Sequence, residues 1–494
     1  MHVIIFATRA GALALTAALA ACAIAPVGPN YSVPATALVN KPGAGAAFAQ
    51  ASAAAAAGTS APFADAPLPA HWWRLYQDPR LDALIEKALA HNTDLRQALA
   101  NLEKSQAAEV EVGGQKKPTL SVEGGPAFGH VSGISLLAEN YSPPSTWEYG
   151  AGASLSYQLD LFGRIQRGIE AASDNTEAAQ AALDLVRVNV AAGTARAYAD
   201  ACATGLRIAS AERSTELQQQ ALDISVRLQQ AGRVGITDAA RARSQLQGLK
   251  AAIPPLEARR QAALYRLATL TGDLPQDFAR DVATCAVPPQ VVGTIPVGDG
   301  AALLRRRPDI RQAERQLAAA TATIGVATAD LYPRISLTGF YGGAAADINA
   351  LTTNSGLIWG LGPKISWTFP NQALPRARIR QAKSGEAAAL ANFDSVVLQA
   401  LKETETSLAA YGAELDRRQS LAEAQDRAQQ AFDLAHDQFL AGSLSNLELL
   451  TTEQSLVAAD AAVAASDAAV VQDQIAVFKA LGGGWRGPKG AGRS

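Results

Sequence analysis

Cysteine is scarce in this chain, with three residues in 494, at positions 22, 202 and 285. That number excludes a scaffold stapled by many disulfides. Histidine is scarce too. His2, His71, His91, His130 and His436 are scattered, and no two have metal-ligand spacing, so no metal centre is expected. Neither sign of charge dominates: 43 Lys and Arg face 45 Asp and Glu, a net charge of -2. Nucleic acid therefore has no electrostatic footprint to bind. Charged residues make up 18% and apolar residues 48%, which excludes wholesale disorder. No nucleophile elbow, phosphate loop or clustered acid-base set occurs, so neither an enzyme nor a cofactor is expected. Beyond the N-terminus, Ala-rich segments such as Ala459–Val471 are interrupted by Asp460 and Asp467. No later stretch reads as a transmembrane helix, which needs about 20 apolar residues. If the chain crosses a membrane, it does so as part of a closed β-barrel.

The N-terminus reads as an export signal. Residues 1–21 carry one basic residue, Arg9, and then the apolar run Gly11–Ala21, which is too short for a stable bilayer anchor. The segment closes with Leu19-Ala20-Ala21-Cys22, which resembles a bacterial lipobox. There the Cys22 thiol is acylated and Cys22 becomes the new N-terminus. Ala23 rather than Asp follows it, which by resemblance favours the outer membrane. Several acyl chains hold firmly, at about 0.8 kcal/mol per buried CH₂.

Beyond an Ala-, Gly-, Ser- and Pro-rich region at 35–70, read as a flexible linker, the chain repeats itself. Asp94-Leu95-Arg96-Gln97-Ala98 recurs as Asp309-Ile310-Arg311-Gln312-Ala313, and Pro118-Thr119-Leu120-Ser121 as Pro333-Arg334-Ile335-Ser336. Tyr157 matches Trp367 and Gly232 matches Gly442 at nearly the same offset. Internal duplication is the reading. Each half predicts a helix, two strands, a very long helix, a turn and a return helix. In the first half these are a helix from about Pro79 to Lys117, strands at about 118–132 and 146–160, and a proline-free helix over Gly163–Ala231. The second half has its long helix from about Pro375 and its return helix at about 445–480. Apolar residues at 3-4 spacing, such as Leu217, Ala221, Ile224 and Leu228, predict coiled-coil packing. Pro254-Pro255 predicts an offset or break in the first return helix.

The strands alternate strictly. In Trp147–Asp160 the odd positions include Trp147, Tyr149, Leu155, Tyr157 and Leu159, and the even positions include Glu148, Ser154, Ser156, Gln158 and Asp160. In 357–369, Leu357, Trp359, Leu361, Ile365, Trp367 and Phe369 take one face. Lipid outside and water inside demand this pattern, with aromatic girdles at the interfaces, although a half-buried soluble strand alternates too. Four strands cannot close a barrel. Several chains must each supply four, and a cyclic oligomer is the closed solution.

These residues carry a resemblance. Ala25-Pro26-Val27-Gly28-Pro29-Asn30-Tyr31, Trp72-Trp73 before Asp78-Pro79-Arg80-Leu81, and Leu159-Asp160-Leu161-Phe162-Gly163-Arg164 are similar to segments of the TolC-like outer-membrane efflux lipoproteins, the NodT/OprM-like branch. Leu303–Glu314, Gly325–Leu337 and Leu481-Gly482-Gly483-Gly484-Trp485 continue it. The resemblance covers roughly 22–485 and implies a mainly α fold with a β-barrel part. The implied assembly is a homotrimer, with a shared 12-stranded barrel in the outer membrane and a long α-helical coiled-coil barrel in the periplasm. It further implies a passive exit duct for drugs or other small molecules. A periplasmic adaptor (membrane fusion protein) and an inner-membrane RND-type transporter would be its partners. The expected organisation is a signal peptide at 1–21, a lipidated segment and linker at 22–70, repeats at 71–284 and 285–485, and a disordered tail at 486–494.

Two helical tips would face the periplasm. They are Gly232-Arg233-Val234-Gly235-Ile236-Thr237-Asp238 and Gly442-Ser443-Leu444-Ser445-Asn446-Leu447-Glu448. Each pairs a glycine suited to a left-handed cap with helix-starting chemistry. By resemblance they dock the adaptor and form a closable aperture. Glu448 falls at the position of the first acidic ring residue, and the uncharged Thr451 where a second can stand, so a double acidic ring is not expected. Leu444 stands where TolC has a basic latch. Asp238 reads as a hairpin partner. Cys202 lies about 30 residues above the first tip, the return helix passes that height near residue 262, and Cys285 follows it in a short linker. A Cys202–Cys285 disulfide is expected in an oxidising compartment. A type I-like protein secretion duct and a periplasmic coiled-coil scaffold lipoprotein remain as alternatives.

Overall fold

The computed structural model describes residues 26–56, 62–130, 142–291 and 293–483. The expected signal peptide, Cys22 and the tail at 486–494 lie outside the described residues. In chain order the elements are α1 (Ala49–Ala56), β1 (Phe63–Ala64), α2 (Pro79–His91), α3 (Thr93–Gly114), β2 (Thr119–Gly129), β3 (Thr146–Leu159), α4 (Arg164–Gln230) and α5 (Ile236–Thr271). Then come α6 (Arg280–Ala283), β4 (Ile295–Pro296), α7 (Gly300–Arg306), α8 (Pro308–Ala329), β5 (Arg334–Ala345), β6 (Leu357–Ser366), α9 (Ala373–Leu440) and α10 (Asn446–Ala480). The order α3-β2-β3-α4-α5 recurs as α8-β5-β6-α9-α10. Helix α4 has 67 residues and α9 has 68, each roughly 100 Å at 1.5 Å per residue.

The chain divides into two units. The first comprises Met1–Val33, Glu103–Ala178 and Glu314–Asn392. It holds a four-stranded antiparallel sheet in the order β2-β3-β5-β6. The register sets Phe128 opposite Trp147 and Leu120 opposite Leu155, then Tyr157 opposite Leu337 and Tyr341 opposite Trp359. All four strands therefore turn their apolar residues to one face, and Ser121, Glu123, Glu148, Ser154, Gln158 and Lys364 to the other. The apolar face is bare: Val122 is 78% exposed, Trp359 72% and Leu361 68%. A contiguous apolar face of this kind marks a surface that something apolar covers. Two large apolar residues break the rule on the polar face, Ile358 opposite Gly342 and Phe340 opposite Ser154. A Cβ at Gly152 or Gly342 would come within 2.7 or 2.9 Å of the Phe340 ring, so these glycines make room for the ring against the strands.

The N-terminal segment of this unit is tied to the start of α4. Arg167 donates to Asn30 at 2.6 Å and to the Val27 carbonyl at 3.2 Å. Gly28 (φ 90°) meets Gly325 so closely that a Cβ would lie 2.5 Å from its Cα, and Pro26 packs on Gly163. The side chain of Asp160 accepts the N–H groups of Ile165 and Gln166 and so starts α4.

The second unit comprises Pro34–Leu102, Ala179–Ala313 and Phe393–Ser494. Its core contains Trp72, Trp73, Tyr198, Leu264, Leu267 and Phe478, all under 2% exposed. Arg307 is buried among the α10 terminus and two carboxylates. It donates to Asp309 at 2.6 Å, to Glu403 at 2.9 Å and to the Ala480 carbonyl at 2.8 Å, while Arg306 donates to the Leu481 carbonyl. The basic run in Leu303–Glu314 thus caps the C-terminus of α10, where free carbonyls favour cations.

Several expectations are corrected. The helix expected over 79–117 is two helices, divided at Asn92 (ψ 136°). The Asn92 side chain accepts from the Asp94 and Leu95 N–H groups and donates to the Leu270 carbonyl. Capping by its own side chain competes with helix continuation. The region 35–70 is not a flexible linker where it is described. Leu38 N–H donates to Asp394, and Ala49 and Gln50 N–H donate to Glu405, while β1 pairs in parallel with β4. Composition cannot reveal two carboxylates waiting on a distant helix. The break at Pro254-Pro255 is absent, and α5 runs through both prolines. The carbonyls they leave free belong to Lys250 and Ala251, which are exposed and can be hydrated. Strand β6 ends at Ser366, so Trp367 and Phe369 lie beyond it, stacked at 4.9 Å. Helix α10 is long and apolar enough to cross a membrane, with a mean hydropathy of 1.3 over its best window. Its apolarity is mostly alanine. Its Asp460 accepts from Gln425 and its Asp467 pairs with Arg418, so it is the hairpin partner of α9.

Candidate gate at the hairpin tips

Each long helix ends in the same device. After α4, Gly232 takes φ 72°, and Arg233 N–H returns to the Leu228 carbonyl at 2.9 Å. After α9, Gly442 takes φ 75°, and Ser443 N–H returns to the Gln438 carbonyl at 2.9 Å. A residue with a Cβ disfavours this left-handed geometry, which reverses the chain. The next helix then starts on a capping box. In the first tip Asp238 accepts from Gly235 N–H at 3.3 Å and faces Arg241 at 3.7 Å. In the second, Glu448 accepts from Ser445 N–H at 3.2 Å and from its hydroxyl at 2.9 Å, while Ser445 Oγ accepts Glu448 N–H. The Glu448 carboxylate is thereby held at the positive end of α10. Thr451 is exposed one turn on, and its hydroxyl donates to the Leu447 carbonyl at 2.8 Å. Among the described residues, no cluster of three or more potential metal ligands occurs.

Behind the exposed tip, α4 and α10 meet on a seam of buried polar groups that the sequence reading missed. Ser225 donates to Asn446 at 3.2 Å. Seven residues up each antiparallel helix lie Gln218 and Glu453. Seven residues are about two turns, so both return to the same face at the same level. Gln218 is fully buried and Glu453 is 2% exposed. Both amide atoms of Gln218 and one carboxylate oxygen of Glu453 have no hydrogen-bond partner among the described residues. Burial pushes the Glu453 carboxyl up to about 7. Leu222, Ala242, Leu246 and Leu450 pack beside them. A signal for this existed: Asn446, Leu449, Glu453 and Leu456 form one 3-4 stripe, with a carboxylate on an apolar face.

Cys202 and Cys285 form a disulfide, with Cα atoms 4.7 Å apart. It joins α4 to the residues after α6 and closes a separation of 83 residues. Loop-closure entropy for that length is worth about 4–5 kcal/mol. Thiol labelling of the denatured, unreduced protein is expected to modify neither cysteine. Intact mass reads the result, and two labels would refute the bridge.

Of the aromatic residues expected as girdles, Trp147 packs on Phe128 at 5.4 Å near one end of β3, and Tyr149 and Tyr157 share its face. Trp359 is opposite Tyr341, which is opposite Ala153, so the register sets it at the middle of β3. Trp367 donates to the Leu331 carbonyl at 3.1 Å, beyond the strand.

The model of the family described as "Outer membrane efflux protein" matches residues 84–273 and 301–483. This chain belongs to that family. Its two matched segments each hold one helix-strand-strand-helix-helix series. The solved outer-membrane channel OprN is 33% identical, with a TM-score of 0.85 over 93% of this chain and 99% of that one. Nodulation protein T of Rhizobium leguminosarum bv. trifolii is 29% identical over 416 residues, 84% of this chain and 88% of that protein. The pyoverdine export outer membrane protein OpmQ of Pseudomonas aeruginosa is 29% identical over 422 residues, 84% and 87% of the two chains. The protein is an outer-membrane efflux component with a TolC-like fold.

Proposed function

We propose that three copies of this chain form the passive exit duct of a tripartite efflux pump. The observation that carries this is the sheet. One whole face is apolar and bare, and β2 and β6 each bond one neighbour within the described residues. Open edges and a lipid-facing surface are both satisfied if β2 of one copy pairs with β6 of the next, giving twelve strands in a closed barrel. The fixed Pro26 supports lipidation at Cys22. It packs on Gly163, just past the end of β3, and four residues reach at most about 14 Å, so an acylated Cys22 lies near the membrane surface. The export signal at 1–21, repeats at 71–284 and 285–485, and a tail at 486–494 complete the organisation.

The tips at Gly232–Asp238 and Gly442–Ser445 serve as docking points for the hairpins of a periplasmic adaptor, and an inner-membrane RND-type transporter supplies energy and selectivity. Three copies of Glu448 narrow the entrance as a ring of negative charge, which favours cations. Thr451 supplies no second acidic ring, and Leu444 no basic latch. The cargo is small organic molecules, and the duct performs no chemistry on them.

Deleting the gene is expected to raise dye and drug accumulation, and the wild-type protein to restore export. Glu448→Ala is expected to retain export, to raise the resting conductance of bilayer-reconstituted channels, and to lower their preference for cations. Unchanged accumulation across a broad panel, together with no channel conductance, would reject the duct. Export without any conductance change in the variant would reject only the ring.

A further inference from the structure

A cavity of about 500 Å³ lies between α4, α5 and α10. Leu249, Leu256, Val457 and Ala461 form its apolar wall, and Pro255 completes it on α5. Its polar rim carries two guanidinium groups, Arg207 and Arg259. The volume is that of small-molecule sites.

The arginines are oddly matched. Asp200 on α4 pairs with Arg266 on α5 at 3.3 Å. Seven residues along each antiparallel helix, the same face brings together Arg207 and Arg259. One level has an ion pair and the next has two cations. Burial, and then the neighbouring Arg259, push the Arg207 pKa down. Among the described residues neither arginine makes a hydrogen bond or an ion pair. The hydroxyl of Ser214 is spent on the Ser210 carbonyl.

We propose that this cavity binds a small amphipathic organic anion, its carboxylate or sulfonate held between Arg207 and Arg259 and its apolar body on the wall behind. Two planar forks suit one carboxylate, and an apolar wall with few polar groups suits a hydrocarbon body. The site is independent of the duct reading, because binding is measured without transport.

The test uses the full-length protein in lipid nanodiscs, titrated calorimetrically with 1-naphthoate and with uncharged 1-naphthalenemethanol, each corrected for empty nanodiscs. One saturable naphthoate site per chain is expected, with naphthalenemethanol at least about tenfold weaker. Arg207→Gln with Arg259→Gln is expected to weaken naphthoate at least about tenfold, and Ala461→Phe to remove it by filling the cavity. Unchanged helicity and an intact disulfide establish that each variant folds. No saturable site, or equal binding by the double arginine variant, would overturn the proposal. A double variant whose oligomer falls apart on heating, with no naphthoate site in the wild type, would overturn it too and assign the arginines to a carboxylate of a second copy.

Discussion

Gly205→Val is expected to abolish the folded, oxidised protein, while Gly248→Ala is tolerated. Gly205 lies inside α4, where glycine is unfavourable by about 1 kcal/mol. It is explained by what lies against it. A Cβ there would strike the backbone carbonyl oxygen of Cys285, a contact no rotamer change relieves. The residues after α6 must approach the helix this closely for Cys285 to reach Cys202 three residues away. A branched side chain either expels that segment, with Val282 and its core contacts, or bends α4. Losses above about 4 kcal/mol belong to this class of overpacking and broken links. Free thiols should then appear at both cysteines, and the proposed trimer should not assemble. Gly248 faces open space on α5, so alanine should be neutral or slightly stabilising. An oxidised, assembled Gly205→Val protein would show that the close approach is dispensable.

Glu453→Gln is expected to tighten the seam behind the second tip at pH 8 and to do nothing at pH 4. Packed, the carboxyl titrates near 7 because burial penalises its anion; freed, it titrates near 4.5. Below pH 4.5 both states are protonated and the packed seam keeps its full stability. As pH rises from 4.5 to 7, only the opened state ionises, and packing loses about 1.4 kcal/mol per pH unit. Above 7 the loss levels off at about 3 kcal/mol. An amide cannot ionise, so the variant carries no such loss. Amide exchange over 446–456, compared between variant and wild type at each pH, should be slowed more than about tenfold at pH 8 and be equal at pH 4. The same difference at both pH values would mean that packing, not the charge, governs the seam.

Much of the fold was legible because it repeats. The alternation in Trp147–Leu159 is a period-2 signal that no helix produces, and the register places each of its apolar residues on one sheet face. The proline-free stretch Gly163–Ala231 gave a helix within one residue of each expected end, and α9 starts two residues before Pro375. Gly232 and Gly442 marked both reversals, since only glycine takes positive φ without strain. Of the tip, Glu448 was named through the family resemblance, whereas its engagement in a capping box with Ser445 was not anticipated. Glu453 was overlooked because a carboxylate in a helical stripe ordinarily points to water.

By itself, then, the sequence determined which segments are helix or strand, where they reverse, and that the plan occurs twice, because those properties depend on neighbours a few residues apart. The tertiary structure alone decided what meets across elements. The Asn92 side chain divides a helix because the Leu270 carbonyl stands beside it, and Glu405 orders a segment that composition marks as loose. Gln218 comes level with Glu453, and Arg207 with Arg259, only because antiparallel helices settle in one register. A 3.6-residue period defines the buried face of each helix and leaves their relative slide open. Packing side chains against side chains selects that slide, and with it the buried acid and the paired cations.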